Sequence, residues 1–357
     1  MHNVCLTLLR RAIAPLAAAL LIALPYGCAR APEQVYKTQF FTLGTVVDVS
    51  LWGVDNQRAA DAVKTVENVL NEVHRRWHAW EPSELTRINA GLAAGQAVTI
   101  SEDESQVLQQ AKSLAEQSEE LFNPAIGKLI GLWGFHSSDV PKGPPPPQAD
   151  IDRLLAAQAS MADLTIDATT IRSRNPAVEI DLGAVAKGYG VDLAIDALRK
   201  MGIRNAIVNA GGGLHAIGKH GNRPWRIGIR EPTHASGIIA SVNLRDDEAV
   251  HTSGNYERFY DYQGRRYHHI IDPRSGYPSS TAISATVIHR DGALADAAAT
   301  AIMIAGPQKW TEVARRMGVS QVMMIGADKK VYMTPAMAQR IHFEISPAPE
   351  VVTSEPL

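Results

Sequence analysis

At 357 residues and 45 % hydrophobic content, the chain is long enough to bury a sizeable core in one large or two ordinary domains, so it reads as a globular protein. Lys and Arg number 35 against 37 Asp and Glu, a formal charge of -2, and no basic stripe interleaved with aromatics tracks a phosphate backbone. That balance argues against a nucleic-acid partner.

The first residues carry Arg10 and Arg11, an apolar run over 12–24 interrupted by Pro15, and then "PYGCARAPE". This pattern predicts a secretory signal over 1–27, too short to span a bilayer as a helix. Cys5 lies ahead of the apolar run and leaves with the signal; Cys28 is the only other cysteine, so the mature chain is expected to hold no internal disulfide. Cys28 directly after Gly27 resembles a lipoprotein cleavage site, whose acylated thiol anchors a protein by apolar burial. The expectation is an exported, periplasmic protein lipid-anchored to a membrane through Cys28, with a plain exported form as the alternative.

Beyond a linker over 28–36, "QFFTLGTVVDVSLWG" alternates apolar and polar residues around Gly44 and reads as one strand with a bend. The spacing of Ala59, Val63, Val66, Val69, Leu70 and Val73 predicts a helix over 57–79, and a second is expected over 105–120. The segment 137–149, "SSDVPKGPPPPQA", favours polyproline II and reads as a surface connection within or between the two lobes of a domain spanning 37–343. From Leu164 strands and turns alternate, with helices expected over 184–201, 293–305 and 307–317. This mixed order predicts an α+β fold of mixed or antiparallel sheets with packed helices. The Pro-rich tail 344–357 reads as flexible.

"AIVNAGGGLHAIG" places Gly211, Gly213 and Ala216 in dinucleotide-binding spacing, but strand, turn and strand follow where a nucleotide fold needs a helix. The glycines are therefore read as a strand end. His74 and His78 lie four apart on a helix, yet the glutamate of a zinc hydrolase is missing between them, so they are not read as metal ligands.

In "EIDLGAVAKGYGVDLAIDALRKMG", residues 179–182 read as a strand and Gly183 as a turn. Ala186, Tyr189, Leu193, Ala197, Leu198 and Met201 then form a helical stripe closing at Gly202. A helix start of this kind points unpaired N–H groups at an anion such as phosphate, and Asp181 either binds the ligand or caps the turn. In "ALADAAATAIMIAGP", Asp296 and Thr300 share one helix face. They are hard oxygen ligands of the kind magnesium accepts, or else a buried hydrogen bond.

If 266–271 of "RYHHIIDPRSGYP" form a strand, period two sends Tyr267, His269 and Ile271 to one face and His268, Ile270 and Asp272 to the other. Only one histidine of the pair can face a given site. Beside a phosphate and a metal, that histidine suits the role of general base.

Seven blocks in order, "TLGTVVDV", "EPSELTRIN", "GKLIGLWGFH", "IDLGAVAKGYGVD", "HTSGNYERFY", "YHHIIDPRSGYP" and "ADAAATA", together resemble the FAD:protein FMN transferase family, the thiamine-biosynthesis-type ApbE lipoproteins. The likeness runs from about Phe40 to Ala327. It implies an ApbE-like, T-fold-related architecture with one or two divalent ions, Mg2+ or Mn2+. It also implies a site that cuts the pyrophosphate of FAD, passes FMN to a Thr or Ser hydroxyl of another protein and releases AMP.

Carried over by position, Asp296 and Thr300 are side-chain metal ligands, Ala184 and Ala299 offer backbone oxygen, and His269 takes the proton of the acceptor hydroxyl. Asp181 and Lys187 contact the flavin nucleotide, and Ile271 lines the flavin pocket. Leu43 stands where methionine is frequent and Trp80 where an aromatic is usual, while Leu121, Phe122 and Asn123 fall in a segment touching the adenine side. Two positions depart from the pattern: Asn123 replaces an aspartate common in members, and Lys187 a glutamate found in some.

The implied acceptors are flavoprotein subunits of sodium-pumping or Rnf-type respiratory complexes, or periplasmic flavoproteins linked to nitrous oxide reduction. "DGAL" at 291–294 lacks the acceptor hydroxyl, so self-modification is not expected. A metal-dependent FAD pyrophosphatase and a non-catalytic flavin-binding assembly factor are the alternatives.

Overall fold

The computed structural model describes residues 35–357 apart from Ala235; the signal, Cys28 and most of the linker lie outside the described residues. Nine strands form one sheet whose spatial order follows chain order: β1 (Val35–Thr42), β2 (Thr45–Trp52), β3 (Ala206–Ala210), β4 (Gly213–Ile217), β5 (Glu248–Gly254), β6 (Ala282–His289), β7 (Val322–Gly326), β8 (Val331–Met333) and β9 (Val351–Thr353). All neighbours are antiparallel except β8 and β9. With helices on this sheet, the architecture is the α+β class expected.

The stretch read as one bent strand is a hairpin. Thr42 pairs with Thr45, and the two turn residues have positive φ, 52° at Leu43 and 69° at Gly44. A two-residue turn of that hand matches the twist of the flanking strands. Leucine rarely adopts it, but the Leu43 side chain packs against two core clusters, and its burial offsets the backbone cost.

The helix α1 (Asn56–Trp77) starts where the Asp55 carboxylate accepts the Arg58 N–H at 2.9 Å. Its buried stripe of Ala59, Ala62, Val66, Leu70, Val73 and Trp77 packs partly on Val47, Val49 and Leu51 of β2. Next come α2 (Glu84–Ala93) and α3 (Glu102–Gln117), each opened by a reciprocal cap, Ser83 with Thr86 and Ser101 with Glu104. That cap starts α3 three residues before the periodic signal expected from 105.

The Pro-rich segment runs from α4 (Gly127–Leu132) to α5 (Gln148–Ala156), and both helices feed one cluster with Trp133, Phe135, Tyr260 and Tyr267. Residues 35–357 form one compact unit, within which the prolines connect α4 to α5. The tail is also tied down: β9 lies parallel to β8, and Lys330 pairs with Glu350.

Residues 179–182 do not form the expected strand. Their backbone is satisfied by a side chain and a loop: Asn89 exchanges two 2.8 Å bonds with Ile180, and the Asp181 N–H donates to Pro124. The chain then enters α6 (Ala186–Lys200), which crosses the long Ala-rich helix α7 (Gly292–Arg316). The two helices expected over 293–305 and 307–317 are both present within α7, separated by non-helical Gly306, whose φ of 66° and ψ of -175° precede Pro307. No helix among the described residues is long and apolar enough to cross a membrane.

Candidate functional site

The site is built where α6 meets the start of α7. A Cβ on Gly188 would lie 2.2 Å from the Gly292 carbonyl oxygen, so only glycine permits this approach. Asp192, one turn further along α6, accepts from the Gly292 and Ala293 N–H groups at 2.7 and 3.3 Å and fixes the crossing. Gly188 is the third residue of α6, so its N–H has no partner within that helix, and it donates to Asp296 Oδ2 at 3.0 Å. The Ala184 carbonyl, just ahead of the N-cap Val185, accepts no hydrogen bond among the described residues.

Asp296 is 5 % exposed. Burial alone would raise its pKa, but Lys187, His251 and the Gly188 N–H hold the carboxyl below the usual carboxylate range. Thr300, one turn along α7, hydrogen-bonds Ser253 at 2.9 Å through the hydroxyl oxygens. Carboxylate, hydroxyl and free carbonyl are hard oxygen donors suited to Mg2+ or Mn2+. Among the described residues no group of three or more His, Cys, Asp or Glu side chains could hold a metal, so an ion here would draw most of its ligands from such oxygens, water and substrate. The residues fit that group.

His269 lies just past the strand Arg265–His268, which is shorter than the 266–271 expected. The alternation argument therefore does not reach it. Its backbone N–H donates to the Arg258 carbonyl at 3.1 Å, and its Nδ1 lies 3.2 Å from the same oxygen. A carbonyl only accepts, so the proton sits on Nδ1 and Nε2 is the bare nitrogen. Burial pushes the His269 pKa down to about 3, with the Lys187 charge adding to the effect. The ring is neutral and able to accept a proton. His268, by contrast, is 2 % exposed and spends Nε2 on the Ser279 carbonyl at 2.7 Å. Lys187 is half-buried, and its charge acts on both His269 and Asp296, which links the two halves of the site.

A second patch joins the aromatic residue expected near the flavin to Asp181. Trp80 stacks on His136 with ring centroids 5.5 Å apart, and His136 Nε2 lies 2.8 Å from Asp181 Oδ2. The other oxygen, Asp181 Oδ1, accepts the Gly183 N–H at 2.7 Å, so the turn-capping role is real. Burial would raise the Asp181 pKa, but His136, the Gly183 N–H and Arg258 hold it below the usual range. The Arg258 guanidinium sits over Trp80 and Phe135, at 5.7 and 5.9 Å, and donates to the Phe135 and Ser137 carbonyls. Phe135 in turn meets the His269 ring edge-on at 6.3 Å.

A family model described as the ApbE family matches residues 43–324. The chain belongs to the ApbE family. It is 44 % identical to an FAD:protein FMN transferase of Rhodobacter capsulatus over 91 % of its length, although it spans only 62 % of that relative. A Klebsiella pneumoniae protein of the same name is 32 % identical, with 87 % of this chain and 95 % of the relative covered. The crystal structure of the ApbE protein from Thermotoga maritima superposes with a TM-score of 0.78 at 28 % identity, covering 86 % of this chain and 99 % of that one.

Not every position carried over from the ApbE pattern joins the site by its side chain. Leu121 and Phe122 are 5 and 2 % exposed inside the main core. Asn123 spends its amide on Ala159 O and Ala125 N, leaving little for a ligand. Ile271 is buried beside Trp133 and Tyr267, and the Ala299 methyl is fully buried. His136, Arg258 and His251 were not singled out from sequence. All three lie inside blocks quoted as ApbE-like, and histidines and an arginine within such blocks were the available signal.

Proposed function

We propose that this ApbE-family chain transfers FMN from FAD to a Thr or Ser hydroxyl of a separate flavoprotein through a phosphoester bond, releasing AMP. The observation that carries this reading is the α6–α7 crossing, where the buried Asp296 carboxylate accepts the Gly188 N–H beside the Lys187 charge, with the Thr300 hydroxyl one turn further along α7. Asp296, Thr300 and the Ala184 carbonyl would hold Mg2+ or Mn2+, which when bound supplies charge stabilisation at the pyrophosphate. Lys187 and the N–H groups at the start of α6 attract the phosphates. Nε2 of His269 takes the acceptor proton as the hydroxyl oxygen bonds to the FMN phosphorus and the bond to the AMP oxygen breaks. Trp80, His136 and Arg258 form a flat, cationic rim suited to an aromatic ring system.

The apolar run ahead of Gly27-Cys28 supports export and a lipid anchor at Cys28, which would place the reaction at a membrane surface and make respiratory flavoprotein subunits or periplasmic flavoproteins accessible acceptors. The test incubates purified mature chain with FAD, Mg2+ and a candidate acceptor domain, following AMP release and flavin fluorescence on the acceptor in a denaturing gel. Both signals are expected, and both should fail in Asp296→Ala. AMP release without an adduct on any acceptor tested would replace transfer by hydrolysis.

A further inference from the structure

His251 is 1 % exposed, and neither ring nitrogen has a hydrogen-bond partner among the described residues. A buried polar atom left unpaired is costly, so the ring should have an occupation when the protein works. It stands on β5 two residues before Ser253, and strand alternation points both side chains at α7. Two strand residues advance about 6.7 Å and four helical residues about 6 Å, so the two pairs stay in step. Ser253 meets Thr300 at 2.9 Å, and His251 Nδ1 meets Asp296 Oδ1 at 3.6 Å, just beyond hydrogen-bond range. The ring has room there because residue 213 is glycine: a Cβ at that position would lie 2.5 Å from Cε1 and Nδ1 of the imidazole.

We propose that His251 is a positioning residue for the cation site: its Nδ1–H holds Asp296 Oδ1 and fixes the rotation of the carboxylate, so that the remaining lone pairs face the ion. The inference rests on the cation role of Asp296 proposed above. In this arrangement Asp296 is held from two sides, by the Gly188 N–H on Oδ2 and by His251 on Oδ1. Thr300 is held by Ser253, so β5 orients both side-chain ligands. Hydrogen-bond partners of metal-binding groups typically contribute 10- to 100-fold in metal affinity.

The experiment titrates Mn2+ into the purified mature chain without FAD and follows free ion by electron paramagnetic resonance, with near-ultraviolet circular dichroism as the folding control. His251→Ala should weaken Mn2+ binding about 10- to 100-fold. His251→Asn, whose amide can donate from near the Nδ1 position, should recover most of it. Gly213→Ala keeps the imidazole but displaces it and should also weaken binding; together with the Asn variant it decides the matter if the Ala variant does not fold. Wild-type affinity in the His251 variants, with binding abolished by Asp296→Ala, overturns the positioning role and leaves the cation site standing. Equal losses in His251→Ala and His251→Asn without loss in Gly213→Ala reduce His251 to packing and overturn it too. Wild-type affinity in Asp296→Ala overturns both this inference and the reading beneath it.

Discussion

Changing pH and removing His269 should have effects of very different size. With the pKa of His269 near 3, the imidazole is about 99 % neutral at pH 5, whereas at the ordinary value of 6.5 it would be about 3 % neutral. The causes are burial first and the Lys187 charge second, both of which penalise the imidazolium. Between pH 8 and 5, protonation of His269 should therefore change kcat by less than about twofold, against the roughly 30-fold fall that an unperturbed imidazole would produce. His269→Ala should lower kcat by about 10²- to 10⁴-fold, about 3 to 5 kcal/mol in the barrier, because it removes the bare Nε2 that would accept the proton. FAD affinity should stay within a few-fold, since the ring is tied to Arg258 by Nδ1 and not to a ligand. The assay is AMP release at saturating FAD, Mg2+ and acceptor across that pH range, with FAD binding followed by flavin fluorescence. An acid limb centred near pH 6.5 that disappears in the variant would show a solvated, ordinary histidine. A variant turning over at the wild-type rate would remove His269 from the chemistry altogether.

Two further outcomes test the frame around the site. In Gly188→Ala the new methyl meets backbone at 2.2 Å, an overpacking cost of about 1–3 kcal/mol against the roughly 1 kcal/mol that alanine gains in a helix. The melting temperature should drop by a few degrees while AMP release falls at least tenfold, because the Gly188 contact to Asp296 opens; a variant unchanged in both contradicts the close-approach argument. His215, buried on β4, lies 2.6 Å from Asp192 and 3.0 Å from Asp247, and although burial opposes its charge, the two carboxylates raise its pKa above 6.5. Its folded pKa exceeds the unfolded one, so the stability it contributes is fully present below about 6.5 and is lost as pH rises through the folded value. Calorimetry from pH 6 to 9 should show the wild type losing its advantage over His215→Gln on the alkaline side, and a pH-independent gap between the two would refute the coupling.

Much of this was readable from local pattern. The stripe of α1 and the Asp296–Thr300 spacing on α7 both follow from a period of 3.6 residues, which a linear sequence displays directly. The pattern misled where partners were distant or unusual. Residues 179–182 look like a strand, yet they pair with the Asn89 side chain and a loop. The tail 344–357 looks loose by composition, yet β8 offers an edge that 351–353 can occupy.

By itself the sequence determined the α+β class, the helix that pairs a carboxylate with a hydroxyl, the histidine doublet, and the seven blocks that placed the chain in its family. Tertiary structure alone decided which histidine keeps a bare nitrogen, that His136 joins Trp80 to Asp181, and that His251 faces Asp296 unpaired. The division has one physical reason. Periodicity is a property of neighbouring residues, whereas a tautomer, a depressed pKa or the partner of a helix-start N–H depends on desolvation and on contacts such as that between Gly188 and Asp296, which stand 108 residues apart.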